Sequence, residues 1–363
     1  PSQVMGDLTV GKQQMCEIAK AISKEVKVLV FDEPTAALTD SEINELFKII
    51  RDLREKGIGI IYISHRMDEI KIITDRVTVM RDGEYVGTLI SKDCTKDDII
   101  NMMVGRTIYE EPKSVSNVPD NAPVVLKVEH LQAGKMVQDI SFELRKGEIL
   151  GFSGLMGAGR TETARVIFGA DKKQGGDIYV NGKKVEINSP QDAVKAGIGY
   201  LSEDRKRYGV VLDKTIAENT TMASLEKFVK GLFIDKKGEE STAQDYVERL
   251  NTKTPTVTTP TLSLSGGNQQ KVVIAKWLVR DCDILIFDEP TRGIDVGAKS
   301  EIYHLMNELA TSGKSIIMIS SELPEILRMS DRVLVMCEGR KTAEIPIEKA
   351  SQEVIMQAAT VGM

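Results

Sequence analysis

Short apolar runs alternate with longer amphipathic stretches along most of the chain. Four runs are strand-sized and almost wholly apolar: "VLVF" (28–31), "IIYI" (60–63), "ILIF" (284–287) and "IIMI" (316–319). Continuous runs of this length are typical of parallel strands that are buried on both faces. The stretches between them have apolar residues every three or four positions, which predicts amphipathic helices. We therefore predict an α/β fold in which helices cover a parallel sheet.

An internal duplication relates the two ends of the chain. Residues 8–83 align with residues 264–339 without a gap, because every shared landmark is displaced by 256 positions. "VLVFDEPT" matches "ILIFDEPT", "IIYIS" matches "IIMIS", and "DRVTVMRDG" matches "DRVLVMCEG". Each copy predicts the same order of elements: a helix, a buried strand, a second helix, a second buried strand and a hairpin.

The second copy also contains the elements that come before this order. They start with the strand "ILGFSG" (149–154), followed by a glycine-rich loop and a helix at about 161–168. At the same offset, the matching loop of the first copy would lie about a hundred residues before Pro1. We therefore expect the chain to be a fragment of a larger duplicated protein.

Three segments follow from this alignment. Residues 1–106 are predicted to be the later part of a first domain, and residues 124–363 a second domain of the same kind. Residues 107–123, rich in Pro, Ser and Asn and without an apolar period, are the predicted linker. A length of 363 residues is sufficient for two such domains.

Composition narrows the possible functions. The 54 Asp and Glu residues exceed the 48 Lys and Arg residues, giving a net charge of −6. This acidic balance argues against nucleic-acid binding, which usually requires a basic face. The four cysteines form no Cys-x-x-Cys pair, which indicates free thiols in a reducing cytoplasm. No apolar run approaches the roughly 20 residues of a membrane-spanning helix, so a membrane role requires a partner.

A phosphate-binding loop is predicted at "GLMGAGRT" (154–161). Its spacing, G-x-x-x-x-G-[K/R]-T at a strand-to-helix junction, lets backbone N–H groups and a helix N-terminus surround phosphates. The alternative is a chance glycine turn, which the downstream motifs disfavour. Thr161 would place its hydroxyl on Mg²⁺, whereas Arg160 replaces the usual lysine with a planar group of different geometry. The loop residues predicted to bind the cofactor are Gly154, Gly157, Ala158, Gly159, Arg160 and Thr161.

Two of the apolar strands end in an acidic pair followed by proline. Asp288 is predicted to hold the Mg²⁺ shell, while Glu289 orients or deprotonates an attacking water. Asp32 and Glu33 have the same placement in the first copy. An isolated pair of this kind is more often a helix cap, but its repetition together with the whole strand favours the catalytic interpretation.

Together these motifs resemble the ATP-binding cassette (ABC) ATPases. The chain most resembles the tandem-cassette ATPases of bacterial monosaccharide importers, the ribose, galactose, xylose and arabinose class. The narrower resemblance is carried by "SGLMGAGRTE", "YLSEDRKRYG", "LSGGNQQKVVIAKWL" and "MMVGR". It implies a duplicated P-loop NTPase cassette, with a RecA-like core, a helical subdomain and an antiparallel β subdomain, and a first copy that is incomplete. ATP and Mg²⁺ are the implied cofactors.

The resemblance also implies two cassettes packed head to tail, with each ATP held between one phosphate loop and the signature of the other cassette. In the first copy, Thr9 keeps the signature hydroxyl and Gly11 keeps one glycine, whereas Val10 replaces the other. A helix cap is the alternative interpretation of each stretch. The signature residues of the second copy are Ser265, Gly266, Gly267 and Asn268.

The two composite sites are expected to be unequal. His65 stands where the family places the switch histidine that contacts the γ-phosphate, but its counterpart is Ser321. Glu203 stands at the family's glutamine position, where it would reach Mg²⁺ but would add a charge, and residues 131–138 lack the aromatic that usually stacks on adenine. The degenerate site would contain Arg160, Thr161, Glu203, Asp288, Glu289 and Ser321, closed by Thr9 and Gly11. The better site, expected to carry most of the hydrolysis, would contain Asp32, Glu33, His65 and residues 265–268.

The resemblance implies an ATPase subunit that powers monosaccharide import from the cytoplasmic face of the bacterial inner membrane. Its partners would be membrane permease subunits, docked in part on residues 204–232, and an external sugar-binding protein. Two alternatives stay open: a soluble tandem-cassette protein that acts on ribosomes or DNA, and a non-catalytic nucleotide-sensing module. The short linker and the acidic charge disfavour the first. Glu289 and the intact signature disfavour the second.

Overall fold

The computed structural model describes residues 4–5, 8, 10–23, 26–35, 38, 40–64, 67–81, 84–96, 98–99, 102, 112–119, 121–294 and 296–361. The chain divides into two compact units, Pro1–Tyr109 and Glu110–Met363. Each unit has its own hydrophobic core.

In the described part of the first unit, two parallel strands pack against a long amphipathic helix. The elements are α1 (Val10–Ile22), β1 (Val28–Asp32), α2 (Asp40–Glu55), β2 (Gly59–Ile63), α3 (Met67–Ile73), β3 (Arg76–Arg81) and β4 (Glu84–Ile90). Strands β1 and β2 pair in parallel, and β3 and β4 pair antiparallel. Leu29 and Phe31 of β1 are buried in one core with Leu46 and Ile50 of α2, while Val28 on the opposite face is exposed.

A six-stranded sheet forms the centre of the second unit. Across the sheet the strands are β10 (Ile198–Leu201), β13 (Ile284–Asp288), β14 (Ser315–Ile319), β7 (Ile149–Gly154), β15 (Arg332–Cys337) and β16 (Arg340–Pro346). Neighbours are parallel except for the antiparallel pair β15 and β16. A four-stranded antiparallel sheet has the order β6 (Val137–Arg145), β5 (Val124–Ala133), β8 (Gly175–Val180) and β9 (Lys183–Val185).

Helices surround the parallel sheet and form a separate layer beside it. They are α4 (Arg160–Ile167), α5 (Pro190–Lys195), α6 (Ile216–Thr221), α7 (Lys236–Arg249), α8 (Gly266–Arg280), α9 (Val296–Thr311), α10 (Leu323–Met329) and α11 (Gln352–Ala359). Buried polar contacts hold the layer of α6, α7 and α8 together; for example, Thr221 Oγ1 donates to Glu239 Oε1 at 2.6 Å. A short hairpin, β11 (Val229–Lys230) and β12 (Phe233–Ile234), projects from this layer. In the part of the chain that the structure describes, no helix is long and apolar enough to cross a membrane.

The two sheets share one hydrophobic core with several of the helices, including α4 and α8. Phe142 of β6 meets Phe152 of β7 edge to face, with 5.2 Å between ring centroids. Phe168, just after α4, packs against Tyr200 of β10 and Trp277 of α8 at 5.3 and 5.9 Å. Such pairs contribute roughly 1 kcal/mol each beyond the burial of their area. This packing fixes the strand ends of the central sheet relative to α4 and α8.

One buried carboxylate anchors a short segment, residues 112–119, which we call the strap. Asp331 Oδ1 accepts hydrogen bonds from Lys113 Nζ at 2.6 Å and from Ser116 Oγ at 3.0 Å. Its Oδ2 accepts a hydrogen bond from the N–H of Ile149, the first residue of the central strand β7, at 2.9 Å. This part of the predicted linker is therefore bound to the second unit.

The α/β fold predicted from the apolar runs is confirmed, and the helix predicted at about 161–168 is α4. The duplication extends to backbone detail. Glu33 and Glu289 have φ values of 45° and 48°, and the two hairpins have an irregular register after Val79 and after Val335. Both pairs of positions are separated by the same 256 residues.

Removal of the Asp331 carboxylate should destabilise the second unit by about 3 kcal/mol. Asp331→Ala leaves the Lys113 ammonium and the Ile149 N–H without their acceptor in a largely buried place. Thermal and urea unfolding of the whole chain measure the change. The control is Asp283→Ala, because the exposed ion pair of Asp283 with Lys314 should contribute less than about 1 kcal/mol. Equal effects of the two substitutions would contradict the anchoring role of Asp331.

Candidate functional site

The loop between β7 and α4 has backbone conformations that favour glycine. Gly154, Gly157 and Gly159 have φ values of 149°, 79° and 96°. A Cβ at Gly159 would lie 2.1 Å from the carbonyl oxygen of Met136, and a Cβ at Gly154 would lie 2.3 Å from that of Met336. The loop is therefore held between the β5–β6 hairpin and the end of β15, where side chains do not fit.

Asp288 is a fully buried carboxylate at the end of β13. Thr161, in the first turn of α4, donates its hydroxyl to Asp288 Oδ1 at 3.1 Å, and Tyr200 donates its phenol to Oδ2 at 2.7 Å. Burial raises the pKa of Asp288 above its usual range, and the two hydrogen bonds and the nearby Arg160 offset part of that rise. A desolvated anion of this kind is stabilised by a cation.

Glu289, the next residue, is held in a left-handed backbone conformation. Its N–H donates to the carbonyl of Ile319 at 2.9 Å, and its Oε2 accepts from Ser321 Oγ at 3.2 Å. Burial raises the pKa of Glu289 to about 7, against the opposing effects of Arg160 and Ser321. A carboxyl with this pKa is suited to take a proton from water near neutral pH.

Arg160 is bonded to the backbone of the loop after β14. Its Nη1 donates to the carbonyl of Ser320 at 2.7 Å. A lysine at this position of a phosphate loop is free to reach phosphate oxygens, whereas here one side of the guanidinium is occupied. The loop after β14 thus contacts α4 through Ser320 and contacts Glu289 through Ser321.

Glu203 forms an ion pair with Arg292, which lies in the loop after β13. The N–H of Arg292 donates to the Glu289 carbonyl at 3.2 Å. The pair therefore connects the segment after β10 to the loop that carries Glu289.

The signature residues 265–268 form the start of α8. Ser265 is the N-cap, and its Oγ accepts from Asn268 Nδ2 at 2.9 Å. The Asn268 Oδ1 in turn accepts from the N–H of Lys253 at 2.9 Å. Gly267 packs closely on α9, because a Cβ there would lie 2.7 Å from that of Ala298.

Arg205 packs against the first glycine of the signature. A Cβ at Gly266 would lie 2.5 Å from Arg205 Nη2, and the Nε of this guanidinium donates to Gln269 Oε1 at 3.4 Å. Further along α8, the buried Lys276 donates to the carbonyl of Gly209 at 2.7 Å. Both ends of the π-helical turn Arg205–Gly209 are therefore hydrogen-bonded to α8.

The first-unit residues of the predicted sites are described in part. Asp32 and Glu33 lie at the end of β1, and the N–H of Glu33 donates to the carbonyl of Ile63 at 2.9 Å, as Glu289 does at its own site. Gly11 lies in α1. Thr9 and His65 lie outside the described residues.

Several of the predicted residues lie at the carboxyl ends of the parallel strands and are held by separate hydrogen bonds. Thr161 donates to Asp288 and Ser321 donates to Glu289, while Arg160 donates to the carbonyl of Ser320. Ala158 is buried beneath the loop, where its carbonyl accepts from the N–H of Gly339 at 2.9 Å. Sequence reasoning missed Tyr200 and Arg205. Both residues lie in "YLSEDRKRYG", one of the stretches that carry the family resemblance.

The pair of Thr161 Oγ1 and Asp288 Oδ1 fits a magnesium ion. Mg²⁺ usually takes one or two protein oxygens and completes its shell with phosphate oxygens and water. Among the described residues, no group of three or more His, Cys, Asp or Glu side chains is arranged to hold a metal by itself. A magnesium ion held by this pair would need further ligands, such as water or phosphate oxygens.

Comparison with known proteins gives consistent findings. A family model described as "ABC transporter" matches residues 137–292. The chain is 59% identical over 361 residues to the "Putative ribose/galactose/methyl galactoside import ATP-binding protein 1" of Burkholderia lata, covering 99% of this chain and 70% of that protein. It is 52% identical over 355 residues to the "Ribose import ATP-binding protein RbsA" of Clostridium tetani, covering 97% of this chain and 70% of that protein.

The structure is similar to the crystal structure of a nucleotide-free ATP-binding cassette from an ABC transporter. The TM-score is 0.55 at 21% identity, over 66% of this chain and 96% of that chain. This likeness confirms the cassette fold predicted from the sequence motifs.

Gly159→Ala should weaken ATP binding by at least about tenfold, because the added Cβ forces the loop away from the Met136 carbonyl. Titration calorimetry with Mg-ATP measures the dissociation constant. Gly182→Ala is the matched control: its φ is 74°, but no atom lies within 4 Å of the added Cβ. Both variants strain the backbone, so equal nucleotide affinities would contradict the role assigned to the loop.

Proposed function

We propose a function from one premise: this chain belongs to the ABC transporter family of sugar-import ATP-binding proteins. It binds ATP, and ATP hydrolysis by such subunits powers the import of a monosaccharide across the bacterial inner membrane. The observation that carries this proposal is the 3.1 Å contact between Thr161 Oγ1 and Asp288 Oδ1 at the mouth of the glycine loop. Two oxygens so placed suit a magnesium nucleotide.

Residues of the second unit have distinct roles in this proposal. The backbone of residues 154–161 holds the phosphates, while Thr161 and Asp288 hold Mg²⁺, which when bound neutralises charge on the phosphates. Glu289 orients the water and accepts its proton in the small share of hydrolysis that this site performs. The signature, residues 265–268, meets the terminal phosphate of a nucleotide bound by a facing cassette.

The two composite sites are proposed to be unequal. Arg160 is bonded to Ser320, Glu203 is paired with Arg292, and Ser321 replaces a titratable histidine. A serine hydroxyl cannot exchange a proton near neutral pH as a histidine does. This site therefore binds and clamps ATP. We assign most hydrolysis instead to the first-unit residues Asp32, Glu33 and His65.

A permease is the proposed membrane partner, and it docks in part on residues 204–232 at the cytoplasmic face. Support comes from the β11–β12 hairpin, where Leu232 is 96% exposed and the adjacent Phe233 is 80% exposed. Adjacent large apolar side chains this exposed are characteristic of interaction surfaces. An external sugar-binding protein completes the proposed importer and would deliver the sugar to the permease.

Turnover of ATP by this chain should be slow and should change less than about twofold in Glu289→Gln, because the clamping site contributes little hydrolysis. Binding and steady-state hydrolysis of Mg-ATP are measured side by side. Glu308→Gln, an exposed carboxylate on α9, is the surface control. Vigorous turnover that disappears in Glu289→Gln would show that the Arg160 site is a working ATPase, and the proposed inequality would then be wrong.

The double substitution Leu232→Ser and Phe233→Ser should abolish co-purification with co-expressed permease subunits. ATP affinity should stay within twofold, because the hairpin lies outside the nucleotide site. Pull-down from detergent-solubilised membranes measures the association. Leu262→Ser, at another exposed leucine, is the control and should leave association intact. Undiminished association of the double variant would remove the hairpin from the docking surface.

A further inference from the structure

Glu325 is a buried carboxylate on α10 that has no part in the chemistry described so far. Its Oε1 accepts hydrogen bonds from Thr291 Oγ1 at 2.6 Å, from the Tyr303 phenol at 2.5 Å and from Lys299 Nζ at 3.1 Å. Its Oε2 accepts from Ser320 Oγ at 2.7 Å. Burial of a carboxylate is costly unless donors surround it, and here four donors do so.

Two of these donors belong to the loops that carry the reacting groups. Thr291 lies two residues after Glu289, in the loop after β13. Ser320 begins the loop after β14, accepts from Arg160 at its carbonyl, and precedes the serine that donates to Glu289. Hydrogen bonds to the Glu325 carboxylate therefore connect the loop after β13 to the loop after β14.

The first unit contains a similar arrangement around Glu69. Glu69 Oε2 accepts from Thr35 Oγ1 at 2.7 Å, from the Tyr62 phenol at 2.9 Å and from Ser64 Oγ at 3.3 Å. The glutamate, the threonine and the serine each lie 256 residues before their second-unit counterparts. Both copies thus retain a Thr-Ser-Glu group at the same two loops.

The phenol in this group has moved between the copies. Tyr303 of α9 aligns with Phe47, and Tyr62 of β2 aligns with Met318. The two phenols come from different elements, yet both donate to the glutamate carboxylate. The position of the phenol donor differs between the copies, but the glutamate that accepts its hydrogen bond does not. The hydrogen-bonded carboxylate is therefore the feature that both copies retain.

We propose that Glu325, and Glu69 in the first unit, are positioning residues for recognition of the terminal phosphate of ATP. The carboxylate fixes the loop after β14 to the loop after β13, so that Ser321 meets that phosphate beside the water that Glu289 orients. This inference rests on the proposed ATP-binding function. The α- and β-phosphates are held by residues 154–161, so loss of the carboxylate should affect ATP far more than ADP.

The ratio of the Mg-ADP and Mg-ATP dissociation constants, measured on the whole chain by titration calorimetry, tests this proposal. Glu325→Gln keeps the side-chain shape, and ATP affinity should fall by about tenfold while ADP affinity stays within about twofold. Glu322→Gln is the matched control. Glu322 accepts from the same Lys299 at 2.6 Å but is exposed, and its substitution should change neither affinity.

Tyr303→Phe is a milder second variant, because it removes only one hydroxyl and phenylalanine occupies the matching position in the first unit. ATP affinity should fall by about threefold, with no change for ADP. Equal weakening of both nucleotides, or an unchanged ratio in both variants, would mean that the network is only structural and would overturn the positioning role. A wild-type chain that binds neither nucleotide would instead overturn the proposed function.

Discussion

The burial of one carboxylate, Asp288, governs how the site is built. A charge taken out of water costs several kcal/mol unless hydrogen bonds or a counter-ion replace its hydration. Thr161 supplies one hydroxyl from the first turn of α4, and Tyr200 supplies another from β10, which pairs in parallel with β13. Two neutral donors offset only part of the cost, since the pKa of Asp288 is still raised. The folded protein is therefore prepared for a cation at this strand end, as the proposed binding of a magnesium nucleotide requires.

Because the chain contains two copies of one sequence pattern, the features that both copies keep can be separated from those in which they differ. Buried backbone and polar features recur in both units, including the left-handed glutamate after the first buried strand and the Thr-Ser-Glu group. Positions that would face a ligand have diverged: serine at 321 stands opposite histidine at 65, and glycine at 266 stands opposite valine at 10. A Cβ at Gly266 would lie 2.5 Å from Arg205 Nη2, so a β-branched side chain there would require the guanidinium to move. The framework has thus been kept while the two copies have become chemically different.

Local patterns were sufficient to predict the strands, the phosphate loop and the acidic pair, because each is encoded within about ten neighbouring residues. Contacts between distant residues were not predictable in this way. Tyr200 and Asp288 are separated by 88 residues, and Lys113 and Asp331 by 218. The strap is bound to the second unit by polar hydrogen bonds, so its sequence has the composition of a linker. Apolar periodicity does not reveal an attachment of this kind. Glu325 was missed for a similar reason, since its four donors come from three separate segments.

The strap also defines the N-terminal boundary of the second cassette, because its residues are hydrogen-bonded to that cassette. A boundary placed at residue 124, the predicted start of the second cassette, removes Lys113 and Ser116 and leaves the Asp331 carboxylate without two of its donors. That carboxylate also caps the first N–H of the strand from which the phosphate loop emerges. Any hybrid that transfers this cassette to another partner must therefore carry residues 112–119 with it, since the joint between the two copies is part of the second copy's own architecture.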